Sequence, residues 1–385
     1  MFESYLPTRI VFGVGAIEKL SKLVTNLGKK TMIVTGRKST KVTGLLDRVK
    51  AMLEKVGIEV LVFDKVQPNP ISDHVDEAAK IAIEQNVEFI IGLGGGSAID
   101  SAKAIAIAAA MKDSFWNYTH AGGKKKPDRA LPVIAIPTTH GTGTEADPFA
   151  VITNPRTKEK VGIGYDVIFP KISIVDPSLM TTLPKDQTAY TSMDAFYHSL
   201  EAFLNIDANP YSDLLAIDSM KRIVSFLMRA YVNGEDIEAR TNLAWASTEA
   251  GITETLTGVI ANHAIEHGLS GFNEQLPHGL GLCITGPYLL EYMFEECKER
   301  LAVLTKHVFN IDEFSVNKAA RLFIEKLYEF QDLFNLNEKL SKFGFKEQDL
   351  PEIAKVAYRI MKGVVVKSPK KLEEKDLVEI MKKAL

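Results

Sequence analysis

The sequence predicts a doubly wound α/β N-terminal domain with a mainly parallel sheet, followed by an all-helical C-terminal domain. Three observations carry that prediction. Short β-branched runs alternate with longer amphipathic stretches from Ile10 to Val175. After Asp176-Pro177 the pattern turns to long helical periods with no clear strand between them. Two turns rich in Gly and Thr follow directly on strand-like runs in the first half. Strand–helix–strand alternation implies crossover units on a parallel sheet.

The expected strands are residues 31–35, 59–63, 89–93, 132–136 and 172–175, each nearly all apolar. Such runs suit strands covered on both faces. Residues 43–56 and 73–85 show helical spacing with charges on one side, and residues 101–111 continue a glycine run as a helix. Beyond the change of texture, residues 187–205, 212–232, 237–255 and 317–334 read as helices. Asn209-Pro210, Asn233-Gly234 and Gly286-Pro287 punctuate them. The boundary is placed at Leu183-Pro184, giving residues 1–183 as the α/β domain and 184–385 as the all-helical domain.

Composition narrows the class. The 385 residues are 46% hydrophobic and 25% charged, enough apolar material for large cores, and the net charge of −3 gives no electrostatic footprint for nucleic acid. Only Cys283 and Cys297 are present, so neither a disulfide framework nor a thiolate zinc module can form. A metal site must draw on the eight histidines and the carboxylates. No basic region followed by an apolar stretch opens the chain, and no run approaches the ~20 apolar residues of a membrane span. The expectation is a cytoplasmic protein with no membrane partner.

The chemistry-bearing residues lie in both halves. The run at residues 89–93 leads into Gly94-Gly95-Gly96-Ser97 and then a helix. Glycines let a ligand approach the backbone, and the helix start favours a phosphate. The pattern is neither G-x-G-x-x-G nor a Walker loop. A second turn, Thr138-Thr139-His140-Gly141-Thr142-Gly143, ends the next strand, at the sheet edge where open α/β folds bind nucleotides. In the helical half, Asp194 and His198 are four apart, as are His263 and His267, so each pair shares one helix face. His278 follows in a turn. One carboxylate with three histidines makes a four-ligand N/O set for Fe²⁺ or Zn²⁺. The segment from His263 to His267 also fits H-x-x-E-H, the inverted zinc-peptidase signature with Glu266 as base, but that reading leaves both turns and Asp194/His198 without a purpose.

Taken in order, these elements resemble the iron-containing (group III) alcohol dehydrogenases: Gly94-Gly95-Gly96-Ser97-x-x-Asp100-x-x-Lys103, Pro137-Thr138-Thr139-x-Gly141-Thr142-Gly143-x-Glu145, Asp194-x-x-x-His198, His263-x-x-x-His267 and Pro277-His278-Gly279. The resemblance spans residues 12–287 and implies that residues 1–183 are a dinucleotide-binding domain and 184–385 a metal-binding domain, with an active site in a cleft between them. It implies Asp194, His198, His263 and His278 as ligands of Fe²⁺, with Zn²⁺ as the alternative, and His267 as a nearby non-ligand that takes part in proton transfer. It places Gly94, Gly95, Gly96, Ser97 and Asp100 on the pyrophosphate side of the cofactor. Thr138, Thr139 and Thr142 fall toward its nicotinamide half, Lys160 near the nicotinamide ribose, and Asn69 and Phe149 are further cofactor contacts. It further implies a homodimer acting on a small alcohol or aldehyde.

The departures sharpen the expectation. Where NAD-preferring relatives often carry Asp after the first strand, this chain has Gly36-Arg37-Lys38-Ser39-Thr40-Lys41. Gly36 removes a charge that would repel a 2′-phosphate, and Arg37, Ser39 and Lys41 supply donors for one, so NADP is favoured over NAD. His140 and Glu266 replace small residues. His140 either reaches the substrate or fills its turn, and Glu266, one position off the His263/His267 line, either points away from the metal or alters the shell of residues around its ligands. The expected reaction is metal-assisted hydride transfer between NADP(H) and a small primary alcohol or aldehyde. The alternatives are a polyol or phosphate-substrate dehydrogenase or lyase on the same scaffold, such as the glycerol dehydrogenases and dehydroquinate synthases, and a non-enzymatic NADP-binding protein.

Overall fold

The computed structural model describes residues 1–385, and the chain falls into two compact units: Tyr5–Leu183, and Pro184–Leu385 together with Met1–Ser4. The first unit holds strands β1 (Arg9–Phe12), β2 (Lys30–Gly36), β3 (Glu59–Val66), β4 (Phe89–Gly94), β5 (Val133–Pro137), β6 (Phe149–Asn154), β7 (Glu159–Gly164) and β8 (Ile172–Val175). Its helices are α1 (Leu20–Leu23), α2 (Ser39–Val42), α3 (Leu45–Glu54), α4 (Ser72–Glu84) and α5 (Gly96–Met111). Six strands form one parallel sheet in the order β1-β8-β5-β4-β2-β3, with Ile33 opposite Ile91 and Ile91 opposite Ile134.

Successive side chains of a strand point to opposite faces, and both faces are filled here. Ile33, Ile91, Leu93, Ile134 and Ile136 meet Val49 and Leu53 of α3 on one side. Met32, Val34 and Ile90 meet Val75 of α4 and Ala102 and Ile105 of α5 on the other. All six residues of β4 are buried, which is why its sequence shows no polar alternation. Helix α5 is buried along nearly its whole length, as its Ala/Ile run requires. Each Ile or Leu so placed stabilises the sheet by about 1.5–3 kcal/mol of transfer free energy.

Two features go beyond the expected strands. β1 adds an edge beside β8, and β6 and β7 form a separate antiparallel hairpin with Val151 opposite Gly162. In β6 half-buried and buried residues alternate from Phe149 to Ile152, and Thr153 and Asn154 are then buried as well.

The second unit is helical throughout: α6 (Lys185–Leu204), α7 (Pro210–Val232), α8 (Ile237–Thr257), α9 (Ala261–Phe272), α10 (His278–Tyr292), α11 (Phe294–Phe309), α12 (Val316–Asp332), α13 (Leu350–Val365) and α14 (Glu374–Ala384). The caps explain the punctuation. Asn209 and Ser212 form a capping box with Pro210 at the first turn of α7, and the Asp236 carboxylate accepts from Ala239 N at the start of α8. His278, expected in a turn, is the first residue of α10, with Pro277 as its N-cap. One core runs through the unit, with Met193, Phe196, Leu243, Ile265 and Leu282 among its members. No helix is long and apolar enough to cross a membrane.

Candidate active site

In the α/β unit the two turns adjoin. β4 and β5 are neighbours in register, Gly94 opposite Pro137, and Thr138 N donates to Gly94 O at 2.8 Å. The glycines are needed for that approach. A Cβ on Gly96 would lie 2.5 Å from Thr142 Cγ2, and one on Gly95 would lie 3.1 Å from Thr139 Cγ2. The first N–H groups of α5 have no intrahelical acceptor, and they open where Ser97, Thr138, Thr139 and Thr142 are all half-buried rather than sealed. That is a cradle for an anion at the carboxyl edge of a parallel sheet.

Beneath the cradle lies a closed ionic network. The fully buried Lys103 ammonium donates to Thr144 Oγ1 (2.8 Å), Asp147 O and Oδ1 (both 2.9 Å) and Phe149 O (2.8 Å). Asp100 accepts from Thr144 Oγ1 at 2.7 Å and from Val151 N at 3.0 Å. Burial pushes the carboxyls of Asp100 and Asp147 up to about 6 against the pull of Lys103. Asp100, expected on the cofactor, thus has both oxygens engaged in bracing the Thr turn and β6. Asp147 was missed as a site support, and Lys103, three residues after Asp100, entered only as a motif position without a role.

The remaining cofactor candidates scatter along the same unit. Gly36 ends β2, and Arg37 and Ser39 are exposed beyond it. Arg37 Nη2 donates to Gln67 Oε1 at 3.4 Å, while Lys41 is paired with Asp64, which holds that carboxyl below its ordinary value. Asn69 takes φ +54° in the turn after β3. Phe149 opens β6, Lys160 is buried in β7, and His140 is buried in its turn.

In the helical unit, three segments bring their side chains to one point. Asp194 Oδ1 stands 3.3 Å from His278 Nε2, 3.3 Å from His198 Nδ1 and 3.8 Å from His263 Nε2. Atoms of Asp194, His263 and His278 all lie within 4.8 Å of one another, and the His198 ring is 4.3 Å from that of His263. α6 supplies Asp194 and His198 from one face, and α9 supplies His263. α10 arrives at its very first residue, because Gly279 lets it abut α6: a Cβ there would lie 1.9 Å from Tyr190 O. His267, one turn beyond His263, has its ring 5.7 Å from that of His278.

The electrostatics are those of a ligand set. Asp194 Oδ1, His198 Nδ1 and His263 Nε2 are buried and have no hydrogen-bond partner. Leaving a buried polar atom unpaired costs about 1–3 kcal/mol each, so three together mark a place where something else binds. Burial alone would raise the Asp194 carboxyl, but the His198 and His278 rings hold it well below the carboxylate range. Burial draws His198 down to about 3 despite Asp194, whereas Glu201 and Asp194 overcome burial at His263 and push it up to about 10. One carboxylate oxygen and imidazole nitrogens at this spacing fit Fe²⁺ or Zn²⁺.

Sequence reasoning missed two of the carboxylates behind the cluster, Glu201 and Glu254. Glu201 accepts from His263 Nδ1 at 2.7 Å and from Ile260 N at 2.9 Å. It falls three residues after His198 on the same face of α6, a spacing that would have found it. Glu254 of α8 stands 3.4 Å from His198 Nε2. Glu266 takes the second of its two expected places, behind a ligand: it is fully buried and bonds His278 Nδ1, which removes it as the free base that a zinc-peptidase reading needs.

A parallel sheet with an anion cradle at its carboxyl edge, in a chain that also carries a buried Asp/His cluster, fits a metal-dependent oxidoreductase. The chain belongs to the iron-containing alcohol dehydrogenase family. The family model "Iron-containing alcohol dehydrogenase" matches residues 7–177, and "Fe-containing alcohol dehydrogenase family, C-terminal" matches residues 188–385. The chain is 37% identical over 361 residues to the long-chain primary alcohol dehydrogenase AdhA of Thermoanaerobacter ethanolicus, covering 93% of this chain and 90% of the relative. It is 32% identical over 386 residues to the NAD-dependent methanol dehydrogenase of Bacillus methanolicus, covering 100% of both. Among solved structures, an archaeal halo-thermophilic Red Sea brine pool alcohol dehydrogenase bound to NZQ superposes with a TM-score of 0.96 at 34% identity, covering 100% of this chain and 99% of the other.

Proposed function

We propose that the chain catalyses reversible hydride transfer between NADP(H) and a small primary alcohol or its aldehyde, with iron at the histidine cluster. The observation that carries this reading is the meeting of Asp194 Oδ1, His198 Nδ1 and His263 Nε2, buried and unpaired, beside His278. Asp194, His198, His263 and His278 would hold Fe²⁺, with Zn²⁺ as the alternative. A bound divalent ion supplies Lewis acidity toward an alcohol or carbonyl oxygen, and the nicotinamide supplies the hydride chemistry.

The chain's own residues bind, orient and move the proton. The N–H groups at Gly95, Gly96 and Ser97 would take the pyrophosphate. Thr138, Thr139, Thr142, Phe149, Lys160 and Asn69 would flank the nicotinamide half. His267, beside His278 but outside the ligand set, would take the proton released at the hydroxyl, the role for which imidazole is suited near neutral pH. The preference for NADP rests on the turn after β2: Gly36 brings no carboxylate, and Arg37 and Ser39 are exposed to meet a 2′-phosphate. Lys41 contributes less than its charge suggests, because Asp64 already neutralises it. A homodimer in the cytoplasm completes the proposal.

Phosphate-bearing substrates fit poorly. Asp194, Glu201, Glu254 and Glu266 surround the histidines, and four carboxylates outweigh one divalent cation. The test is anaerobic purification with metal analysis, followed by assay at the nicotinamide absorbance with NADP⁺ or NAD⁺, short primary alcohols, glycerol and a phosphate ester. Iron-dependent turnover of the primary alcohols, faster with NADP⁺, is the expected result. Turnover confined to the phosphate ester, or none with any alcohol, overturns it.

A further inference from the structure

We infer that Glu266 is a positioning residue that fixes the ring of His278, so that each histidine of the cluster is backed by its own carboxylate: Glu201 on His263, Glu254 on His198 and Glu266 on His278. The inference rests on the metal-site reading and deepens it. His278 is the least restrained of the four proposed ligands. It begins α10 straight after a loop, and its side chain is 25% exposed, against 7% or less for Asp194, His198 and His263. A ring in that position turns about its side-chain bonds unless its second nitrogen is held.

The Glu266 carboxylate supplies that hold. It bonds Nδ1, so Nδ1 carries the proton and the lone pair is left on Nε2, the nitrogen that stands 3.3 Å from Asp194 Oδ1. The same logic orders His263, whose Nδ1 faces Glu201 at 2.7 Å and whose Nε2 faces Asp194. A histidine that binds a metal through one nitrogen ordinarily donates the other N–H to a carboxylate or carbonyl, which fixes its tautomer and raises its basicity.

The fold also makes room for this side chain. Gly281, one turn into α10, packs on it: a Cβ there would lie 2.9 Å from Glu266 Cγ. Glu266 is thus buried in a slot that α10 keeps open, beside the residue it orients.

The test compares Glu266→Ala and Glu266→Gln with the wild-type chain, each stripped of metal and titrated with Co²⁺ against a competing chelator. Thermal melting of the metal-free forms reports folding separately. The Ala variant is expected to bind Co²⁺ about 10- to 100-fold more weakly and with an altered visible spectrum. The isosteric Gln variant, whose amide oxygen can still accept from Nδ1–H, fills the slot, melts with the wild type and recovers part of the affinity. Folded Ala and Gln variants with wild-type affinity and spectrum would overturn the role of Glu266 and leave the metal site standing. A wild-type chain that takes up no metal would overturn the site itself.

Discussion

The two units carry buried charge in opposite ways. In the α/β unit, Lys103 has four acceptors, and Asp100 and Asp147 are held by it, by Thr144 and by backbone N–H groups, so the network is complete within the chain. In the helical unit, Asp194, His198 and His263 are equally buried, yet each keeps an atom that no protein group satisfies. A completed network braces a fold, and an incomplete one holds a place for a ligand. The same kinds of residue therefore serve structure in one unit and, in the proposed reading, binding in the other, and the difference lies in where the hydrogen bonds end.

The contrast can be broken by substitution. Lys103→Met leaves two carboxyls buried without their cation, and removing one partner of a buried pair costs about 3–5 kcal/mol. Chemical denaturation should show that loss in the α/β unit. A loss below 1 kcal/mol would mean that the network is not bracing the fold. Asp194→Asn should do the reverse: metal affinity falls more than about 100-fold, beyond the cost of an outer partner, while the metal-free protein melts as the wild type does. Unfolding of that variant would show the cluster to be structural like its counterpart.

Two further substitutions sharpen the division of labour. His267→Ala should lower kcat by about 100-fold, the small end of general acid–base effects, with metal content unchanged. Metal lost in parallel with activity would make His267 a ligand. Arg37→Ala is the mildest. It should cut kcat/KM for NADP⁺ about tenfold, or ~1.4 kcal/mol, and leave NAD⁺ unaffected. An equal effect on both cofactors would remove the 2′-phosphate role.

Much of the site was legible because its signals are local. The Gly94–Gly96 run, the Thr turn and the two four-residue spacings in α6 and α9 each report a backbone geometry or a shared helix face. The supporting residues were harder to read. Glu266 is offset from the His263/His267 line by one residue, and only the arrival of α10 gives its carboxylate something to hold. Glu254 belongs to a helix whose approach to His198 has no trace in spacing. Lys41, in α2, looked like a free cation because Asp64 lies 23 residues away on β3.

By itself the sequence determined the alternation of strands and helices, the change of texture near residue 176 and the donor types available for a metal, since burial period and composition are written residue by residue. Only the tertiary structure decided which buried charges are satisfied. Pairing depends on packed helices and strands meeting at angstrom distances, as when Gly279 lets α10 set His278 beside Asp194. No local pattern contains that distance.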